Sequence, residues 1–346
     1  MIKPTHLSPW DNVIALSLSW WGPGSFSHRY EIWKKQLEDT FHVNVIEWKY
    51  TLKDYKWIYE HPEARAEDLM NALKNPSIKA VISSIGGEES IRILPYIDFD
   101  VIKNNPKIFM GYSDSTVTHF IFRKAWIVSF YWPAIMAWFG ENWGMFPYMI
   151  DSVKKTIFSN EKIWELVPNK QWWTSEHLDW SFPENQDKKR KLMDCTWRRW
   201  HQWKGIHSWE SIWGCIDVFP FMVWTSIWPS LEEWKWKILF LEPSEEQMPE
   251  YSFERIIRNL WSQWILQVLE GILVWRSQFN YETNVQINYD DVLLNVVNNE
   301  LWLKDLPIVT NMDFGHTDPM LTMPLWCQIE IDCDNRKIQY LESACL

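Results

Sequence analysis

The sequence lacks the features of a membrane protein, a disulfide-rich secreted protein and a nucleic-acid-binding protein. No run of about 18 apolar residues is present, so no segment is predicted to cross a bilayer as a helix. The five cysteines are an odd number without CxxC spacing, which fits reduced thiols in a cytosol. Acidic residues outnumber Lys and Arg by 45 to 34, and the net charge of −11 argues against an anionic polymer or membrane as partner. We therefore expect a cytoplasmic globular protein.

Glycine is also scarce, whereas tryptophan is unusually abundant. The 346 residues include 11 glycines and 28 tryptophans, although glycine alone averages about 7% of ordinary proteins. Trp126, Trp236 and Trp275 stand at the ends of helix-like or strand-like segments, where a turn would normally use glycine. Since a bulky side chain adopts a positive φ only at a cost, we expect strain at these sites.

Short β-branched runs alternate with helical patterns through the first half of the chain. Strands are predicted at 13–18, 43–46, 80–84 and 108–110, with helices at 28–38 and 63–73. Such repeated units indicate an α/β fold, with a mostly parallel, Rossmann- or flavodoxin-like sheet flanked by helices. Later strand patterns, at 238–241, 272–274, 308–310, 328–331 and 338–341, predict a smaller α+β or barrel-like C-terminal domain.

A polar, poorly periodic segment separates the two halves. We predict an N-terminal α/β domain over 1–165, a linker with a substrate loop over 166–204, and a C-terminal domain over 205–346. The linker contains the longest basic run, 188–191, which includes Arg190 and is interpreted as a solvated loop.

Ser113 has the setting of an exposed nucleophile. An apolar run ends at Gly111, and the serine follows two residues later at the head of a helical segment. A tight strand-to-helix turn presents Oγ, and the helix N-terminus offers N–H groups to a developing oxyanion. Alone this pattern is weak, because serine and aspartate after a glycine are also ordinary helix caps and turns.

Two other strand ends carry the partners that a serine nucleophile needs. Glu242 ends one apolar strand, and His316 lies in a glycine- and proline-bounded loop after another. An imidazole can accept the serine proton, and a carboxylate can fix its tautomer. His119 is a rival base that helix spacing makes structural. Glu245 and Glu246 compete with Glu242 but are interpreted as a solvated turn.

Taken together, these motifs resemble those of the serine peptidase family of LD-carboxypeptidases and microcin C immunity (MccF-like) proteins. The similarity covers nearly the whole chain and is closest to the MccF-like branch. The matching stretches, which occur in the family's order, are 85–87, 90–98, 111–115, 239–246 and 311–320.

The resemblance implies a Ser-Glu-His triad between two domains. The nucleophile would be Ser113, the base His316 and the orienting acid Glu242, with the backbone N–H groups of Gly87 and Asp114 as oxyanion hole. No metal or cofactor is implied, and a homodimer is expected.

Two substrates follow from the resemblance. The immunity branch implies amide hydrolysis in a peptidyl-nucleotide, with Trp180 of the long loop stacking on the nucleobase. The carboxypeptidase branch implies removal of the terminal D-amino acid from a murein tetrapeptide. A generic α/β-hydrolase is disfavoured because its G-x-S-x-G elbow would need glycine where Ser115 stands. An inactive peptide-binding protein is the alternative of a different class.

The chain differs from the family mainly because it has tryptophan at many positions where family members have glycine. Family members would typically carry glycine at the positions of Trp21, Trp126, Trp132, Trp143, Trp209, Trp213, Trp236, Trp264, Trp275 and Trp326. Overpacking costs about 1–3 kcal/mol at each buried site, so the scaffold is predicted to be destabilised. The glycines of the predicted site, which include Gly86 and Gly87, are retained.

Overall fold

The computed structural model describes residues 1–163, 165–202, 204–281 and 283–346, except for the side chain of Trp213. Its strands are β1 (Asn12–Leu16), β2 (Asn44–Glu47), β3 (Ile78–Ser83), β4 (Ile108–Gly111), β5 (Phe130–Tyr131), β6 (Trp172–Trp173), β7 (Met193–Asp194), β8 (Arg199–Trp200), β9 (Ile206–Cys215), β10 (Ile238–Glu242), β11 (Gly271–Trp275), β12 (Phe279–Asn280), β13 (Val285–Gln286), β14 (Ile308–Met312), β15 (Met323–Pro324), β16 (Gln328–Asp332) and β17 (Lys337–Tyr340).

The α-helices are mostly short. They are α1 (Gly22–Ser25), α2 (Ser27–Phe41), α3 (Tyr55–Glu60), α4 (Pro62–Lys74), α5 (Phe99–Asn104), α6 (Thr116–Lys124), α7 (Pro147–Ile157), α8 (Phe219–Met222), α9 (Leu231–Trp234), α10 (Glu250–Ser262) and α11 (Asp290–Leu294). Wider or tighter helical turns occur at Ser90–Tyr96, Ser113–Ser115, Ile135–Phe139, Pro183–Asp187, Leu266–Val268 and Asn295–Glu300. Within the described ranges, no helix is long and apolar enough to span a bilayer.

Two sheets form the framework, as the sequence predicts. The first has the order β15-β5-β4-β3-β1-β2, and all its pairs are parallel except β15 with β5. The second is a curled half-barrel of order β17-β16-β9-β10-β11-β14-β8, in which β9, β10, β11 and β14 are parallel. The predicted fold class is confirmed.

Short strands tie the two sheets together across the predicted linker. β15 comes from the C-terminal part of the chain but pairs with β5 of the first sheet. β8, from the end of the linker, pairs with β14 of the second sheet. The loops at the sheet ends are therefore held against each other by backbone pairing as well as by side chains.

The central strands are buried on both faces, which explains their sequence. Every residue of β4, β10, β11 and β14 is buried. Parallel strands covered by helices on both sides read as continuous apolar runs and not as alternating patterns. The polar residues that follow these strands, such as Ser113 and Asp313, lie at the carboxyl ends of the sheets and are themselves buried.

Nine tryptophans within the described residues adopt left-handed backbone, with φ between 58° and 72°. They are Trp10, Trp126, Trp132, Trp143, Trp224, Trp236, Trp264, Trp302 and Trp326. Trp132 and Trp326 are buried, and the side chains of the other seven are at least half exposed. A left-handed conformation costs an L-residue other than glycine roughly 1–2 kcal/mol.

Two of these tryptophans close helices at the position where glycine normally stands. At the end of α6, Trp126 N–H donates to Arg123 O at 2.8 Å and Ile127 N–H donates to Phe122 O at 3.0 Å. At the end of α10, Trp264 and Ile265 repeat the pattern, with acceptors at 2.7 and 3.0 Å. Both are Schellman motifs, whose left-handed residue is usually glycine.

The predicted strain is confirmed for Trp126 and Trp236 and wrong for Trp275. Trp275 ends β11 in extended backbone and is 3% exposed, since its indole packs in the core. Four of the other positions expected to be glycine in the family are also left-handed, namely Trp132, Trp143, Trp264 and Trp326. The remaining three are not: Trp21 has φ −89°, and Trp209 and Trp213 lie in β9. The side chain of Trp213 lies outside the described residues.

We predict that Trp126→Gly and Trp264→Gly each raise the free energy of unfolding by about 1 kcal/mol, because glycine adopts the left-handed conformation without strain. Denaturant titration of each variant against the parent measures this. Trp197→Gly is the matched control, since Trp197 is 68% exposed but not left-handed. Stabilisation of all three variants alike would contradict the strain explanation.

Candidate active site

Ser113 lies on a strained turn between β4 and α6. Its backbone is left-handed, with φ 57°, and its side chain is almost fully buried. The turn is possible because Gly86, from the loop after β3, has no side chain. A Cβ built on Gly86 would lie 2.6 Å from Ser113 Cβ and 2.9 Å from Oγ. The serine is therefore pressed against a glycine backbone in a conformation that serine rarely adopts.

Asp114 anchors this turn to the neighbouring loops. One oxygen of its carboxylate accepts hydrogen bonds from Ser90 N–H at 2.8 Å and from the Ser19 hydroxyl. The Ser90 hydroxyl donates to Asp114 O at 2.7 Å. Burial raises the pKa of Asp114, and these hydrogen bonds oppose the rise. The backbone of the turn is thus held from two sides, close to Gly87, whose φ is 147°.

His316 and Glu242 form a buried ion pair. Nδ1 of His316 contacts Oε1 of Glu242, and the two side chains are 4% and 2% exposed. Burial raises the pKa of Glu242 while the neighbouring imidazole lowers it. Burial alone would lower the pKa of His316, but Glu245 and Glu242 outweigh it and raise that pKa well above its usual value. The two carboxylates therefore favour the protonated imidazole.

Glu245 lies on the opposite side of the same ring. Its Oε2 is 2.8 Å from His316 Nε2, although 59% of its side chain is exposed. Desolvation would raise the pKa of Glu245, but the imidazole holds it at about 2. Glu245 lies in an exposed turn, as expected, but the turn after β10 also points its carboxylate at the ring. Ser113 makes no hydrogen bond to His316 within the described part of the chain.

His119 is a structural residue of α6, in agreement with its sequence position. Its ring nitrogens contact Ser129 Oγ at 2.8 Å and Gly111 O at 3.0 Å. Its side chain is fully buried, and burial lowers its pKa to about 3. A histidine that stays neutral between fixed partners inside the fold has no role as a base at this site.

A cavity of about 590 Å³ joins the predicted residues. Its walls include Ser113, His316, Gly87 and Trp180. Trp180 packs among polar and aromatic groups: the Arg29 guanidinium lies 4.8 Å from its ring centroid, the Phe26 ring 6.0 Å and the His177 ring 5.6 Å. The cavity thus brings the candidate nucleophile Ser113 and the indole of Trp180 to one site.

Sequence reasoning missed an ionic network that closes one end of this cavity. Nη2 of Arg190 contacts Glu141 and lies 2.6 Å from Oδ2 of Asp318. All three side chains are largely buried, so the interpretation of the 188–191 run as solvated is wrong for Arg190. Burial raises the pKa of Asp318 to about 7, against the effect of Arg190. The only sequence feature that pointed to this network was Asp318, which lies two residues after His316.

Comparison with known proteins shows the family to which the chain belongs. Residues 12–132 match the model of the LD-carboxypeptidase N-terminal domain, and residues 210–331 match that of its C-terminal domain. The chain belongs to the LD-carboxypeptidase family.

Both immunity proteins and carboxypeptidases are among its relatives. The microcin C7 self-immunity protein MccF of Escherichia coli is 29% identical over 80% of this chain and 78% of its own length. A putative carboxypeptidase of Vibrio cholerae is 27% identical over 78% of this chain and 77% of its own. The crystal structure of an MccF-like protein from Streptococcus pneumoniae in complex with AMP superposes with a TM-score of 0.85 at 27% identity, over 96% of this chain and 98% of that one.

We predict that Gly86→Ala abolishes reaction at Ser113 without unfolding the LD-carboxypeptidase fold, because the new Cβ would displace the serine. Labelling by a fluorophosphonate, which reacts with activated serines, measures the first effect, and circular dichroism measures the second. Ser115→Ala is the control, since it changes a side chain on the same turn whose hydroxyl bonds Ser83 Oγ at 3.0 Å. Normal labelling of the Gly86 variant would contradict this reading of the turn.

Proposed function

We propose that the chain is a serine hydrolase that cleaves an amide bond through a Ser113-Glu242-His316 triad. The observation that supports this most directly is the buried Glu242–His316 pair, which opens onto the cavity that contains Ser113. A buried carboxylate behind an imidazole fixes its tautomer and stabilises the imidazolium that forms during catalysis. Membership of a peptidase family supports the same reaction class.

In the proposed mechanism, Ser113 Oγ attacks the substrate carbonyl as His316 Nε2 accepts its proton. The Nδ1–H of His316 stays on Glu242. The negative charge that develops on the carbonyl oxygen is stabilised by the N–H groups of Gly87 and Asp114, which lie on the two loops held together around the serine turn. His316 then protonates the leaving amine, and water releases the acyl group from Ser113 by the reverse proton path.

We infer that the substrate is a peptidyl-nucleotide. Trp180, which lines the cavity and is held by edge contact with Phe26 and by Arg29 over its ring, provides an indole on which a nucleobase can stack. Structures of relatives contain a nucleotide or an aminoacyl-nucleoside: the MccF-like protein of Streptococcus pneumoniae has been crystallised with AMP, and MccF with aspartyl sulfamoyl adenosine.

A murein tetrapeptide is the second candidate substrate. It is favoured by the carboxypeptidase names of several relatives, one of them a probable murein peptide carboxypeptidase of Bacillus subtilis that is 23% identical. Both candidate substrates would be cleaved by the same triad, and they differ in the chemical group that would contact Trp180.

Incubation with a peptidyl-adenylate analogue and, separately, with a murein tetrapeptide tests the proposal. We expect the parent to hydrolyse the first, and Ser113→Ala to abolish turnover because the nucleophile is removed. Ser115→Ala is the matched control: its hydroxyl bonds Ser83 Oγ at 3.0 Å, outside the cavity. Turnover that survives Ser113→Ala would refute the nucleophile, and no turnover by a folded parent would favour a binding protein.

We predict that Trp180→Ala raises KM for the peptidyl-adenylate about 5- to 150-fold, as expected from a stacking free energy of about 1–3 kcal/mol. Steady-state kinetics measure this, with Trp180→Phe expected to recover most of the loss and Trp197→Ala to have no effect. An unchanged KM would exclude Trp180 from the substrate site.

A further inference from the structure

We propose that Glu245 is a gating residue, whose carboxylate occupies the His316 nitrogen that must accept the Ser113 proton and has to leave before the reaction starts. The proposal rests on the proposed triad and extends it. The supporting contact is short and specific: Oε2 of Glu245 is 2.8 Å from Nε2, while Nδ1 contacts Glu242. Both ring nitrogens are therefore committed to carboxylates in this state.

The two carboxylates differ in how free they are to move. Glu242 ends β10 and is buried, so its contact with Nδ1 is fixed by the strand. Glu245 lies three residues later in a turn, with 59% of its side chain exposed. An exposed carboxylate regains water when it swings away, so leaving costs Glu245 far less than it would cost Glu242.

The gate opens when His316 loses one proton. With His316 as imidazolium, the Nε2–H bond points at Glu245 and there is no lone pair to accept the serine proton. Loss of that proton to solvent leaves a neutral ring with Nδ1–H still on Glu242. The lone pair of Nε2 then faces a carboxylate acceptor, which withdraws into solvent, and Nε2 becomes available to Ser113.

The other titratable groups around the ring come from four elements. Tyr112 follows β4, with its ring centroid 4.9 Å from that of His316, and Cys215 ends β9; burial raises both pKa values well above the usual range, so both stay neutral. His177, in the long loop, is kept neutral because burial lowers its pKa. Asp318, on the His316 loop, is paired with Arg190. Glu245 is the group among these that contacts Nε2.

The pH dependence of fluorophosphonate labelling at Ser113 tests the gate. In the parent, labelling should rise only at the pH where His316 loses its proton. In Glu245→Gln, which removes the charge, the midpoint should fall by about one unit or more, because an adjacent opposite charge shifts a pKa by about 1–3 units. Glu246→Gln is the matched control, since Glu246 is exposed in the same turn and has no ion pair in the described structure.

The outcomes separate this proposal from the proposed function. The same midpoint in Glu245→Gln and parent, or slower labelling at every pH, would overturn the gate. No labelling of the parent at any pH, or labelling that survives Ser113→Ala, would overturn the triad and the gate with it. A direct NMR titration of the His316 imidazole gives a second measure that needs no activity: its pKa should be lower in Glu245→Gln.

A second inference rests on the backbone alone. We infer that the functional protein carries glycine where this chain has left-handed tryptophan. Fifteen residues other than glycine have positive φ in the described structure, and nine of them are tryptophan, a residue type with no preference for that conformation. Asparagine, which tolerates it best among ordinary residues, supplies two.

One of these positions adjoins the proposed active site. Trp132, with φ 60°, is fully buried, and its ring centroid lies 5.3 Å from that of Phe314, two residues before His316. Glycine at this position would remove the left-handed strain and the indole beside the histidine loop.

Peptide mass spectrometry of the protein isolated from the cells that naturally produce it tests this inference. Peptides that span Trp126, Trp132 and Trp264 should have the mass of glycine at those positions, whereas the peptide with Trp197, which is not left-handed, should keep tryptophan. Tryptophan mass at the left-handed positions would overturn the inference.

Discussion

The buried contact between Glu242 and His316 is the interaction on which the site depends. It joins the end of β10 to the loop after β14, and it holds a charged ring where burial alone would keep it neutral. Removing one partner of such a pair leaves an unpaired charge inside the protein, which costs about 3–5 kcal/mol. The order of strands in the second sheet, with β11 between β10 and β14, sets the separation of these two loops. The first sheet then needs only to present Ser113 from its own edge, and the pairing of β15 with β5 keeps the two edges together.

Much of this architecture could be predicted because the relevant signals are local. Buried parallel strands appear as apolar runs, and the polar residues that follow them mark loops at the strand ends. Ser113, Glu242 and His316 were found in this way, and the fold class followed from the alternation of strands and helices. The left-handed tryptophans at 126 and 236 could also be predicted, because a helix end or turn needs a particular backbone conformation wherever it occurs.

The errors concern contacts between distant parts of the chain. Glu245 looks like any charged turn residue until the loop of His316 is packed against it. Arg190 looks like part of a solvated basic run until Glu141 and Asp318, 49 and 128 residues away along the chain, close around it. Trp275 was misjudged because a strand end in the core and a turn at the surface have the same local pattern. Charge and hydropathy along the sequence do not reveal which loop will cover a side chain.

The left-handed tryptophans also have a consequence at the level of the gene. Tryptophan recurs at nine backbone positions that share a left-handed conformation and are otherwise scattered over helix ends, turns and loops. Independent mutations would have introduced many residue types, and selection on the fold would have removed the most strained. A single codon that one genetic code reads as tryptophan and another as glycine, as UGA is, would produce this pattern in one step. In that case the backbone conformation at these nine positions identifies the encoded residue better than the printed sequence does.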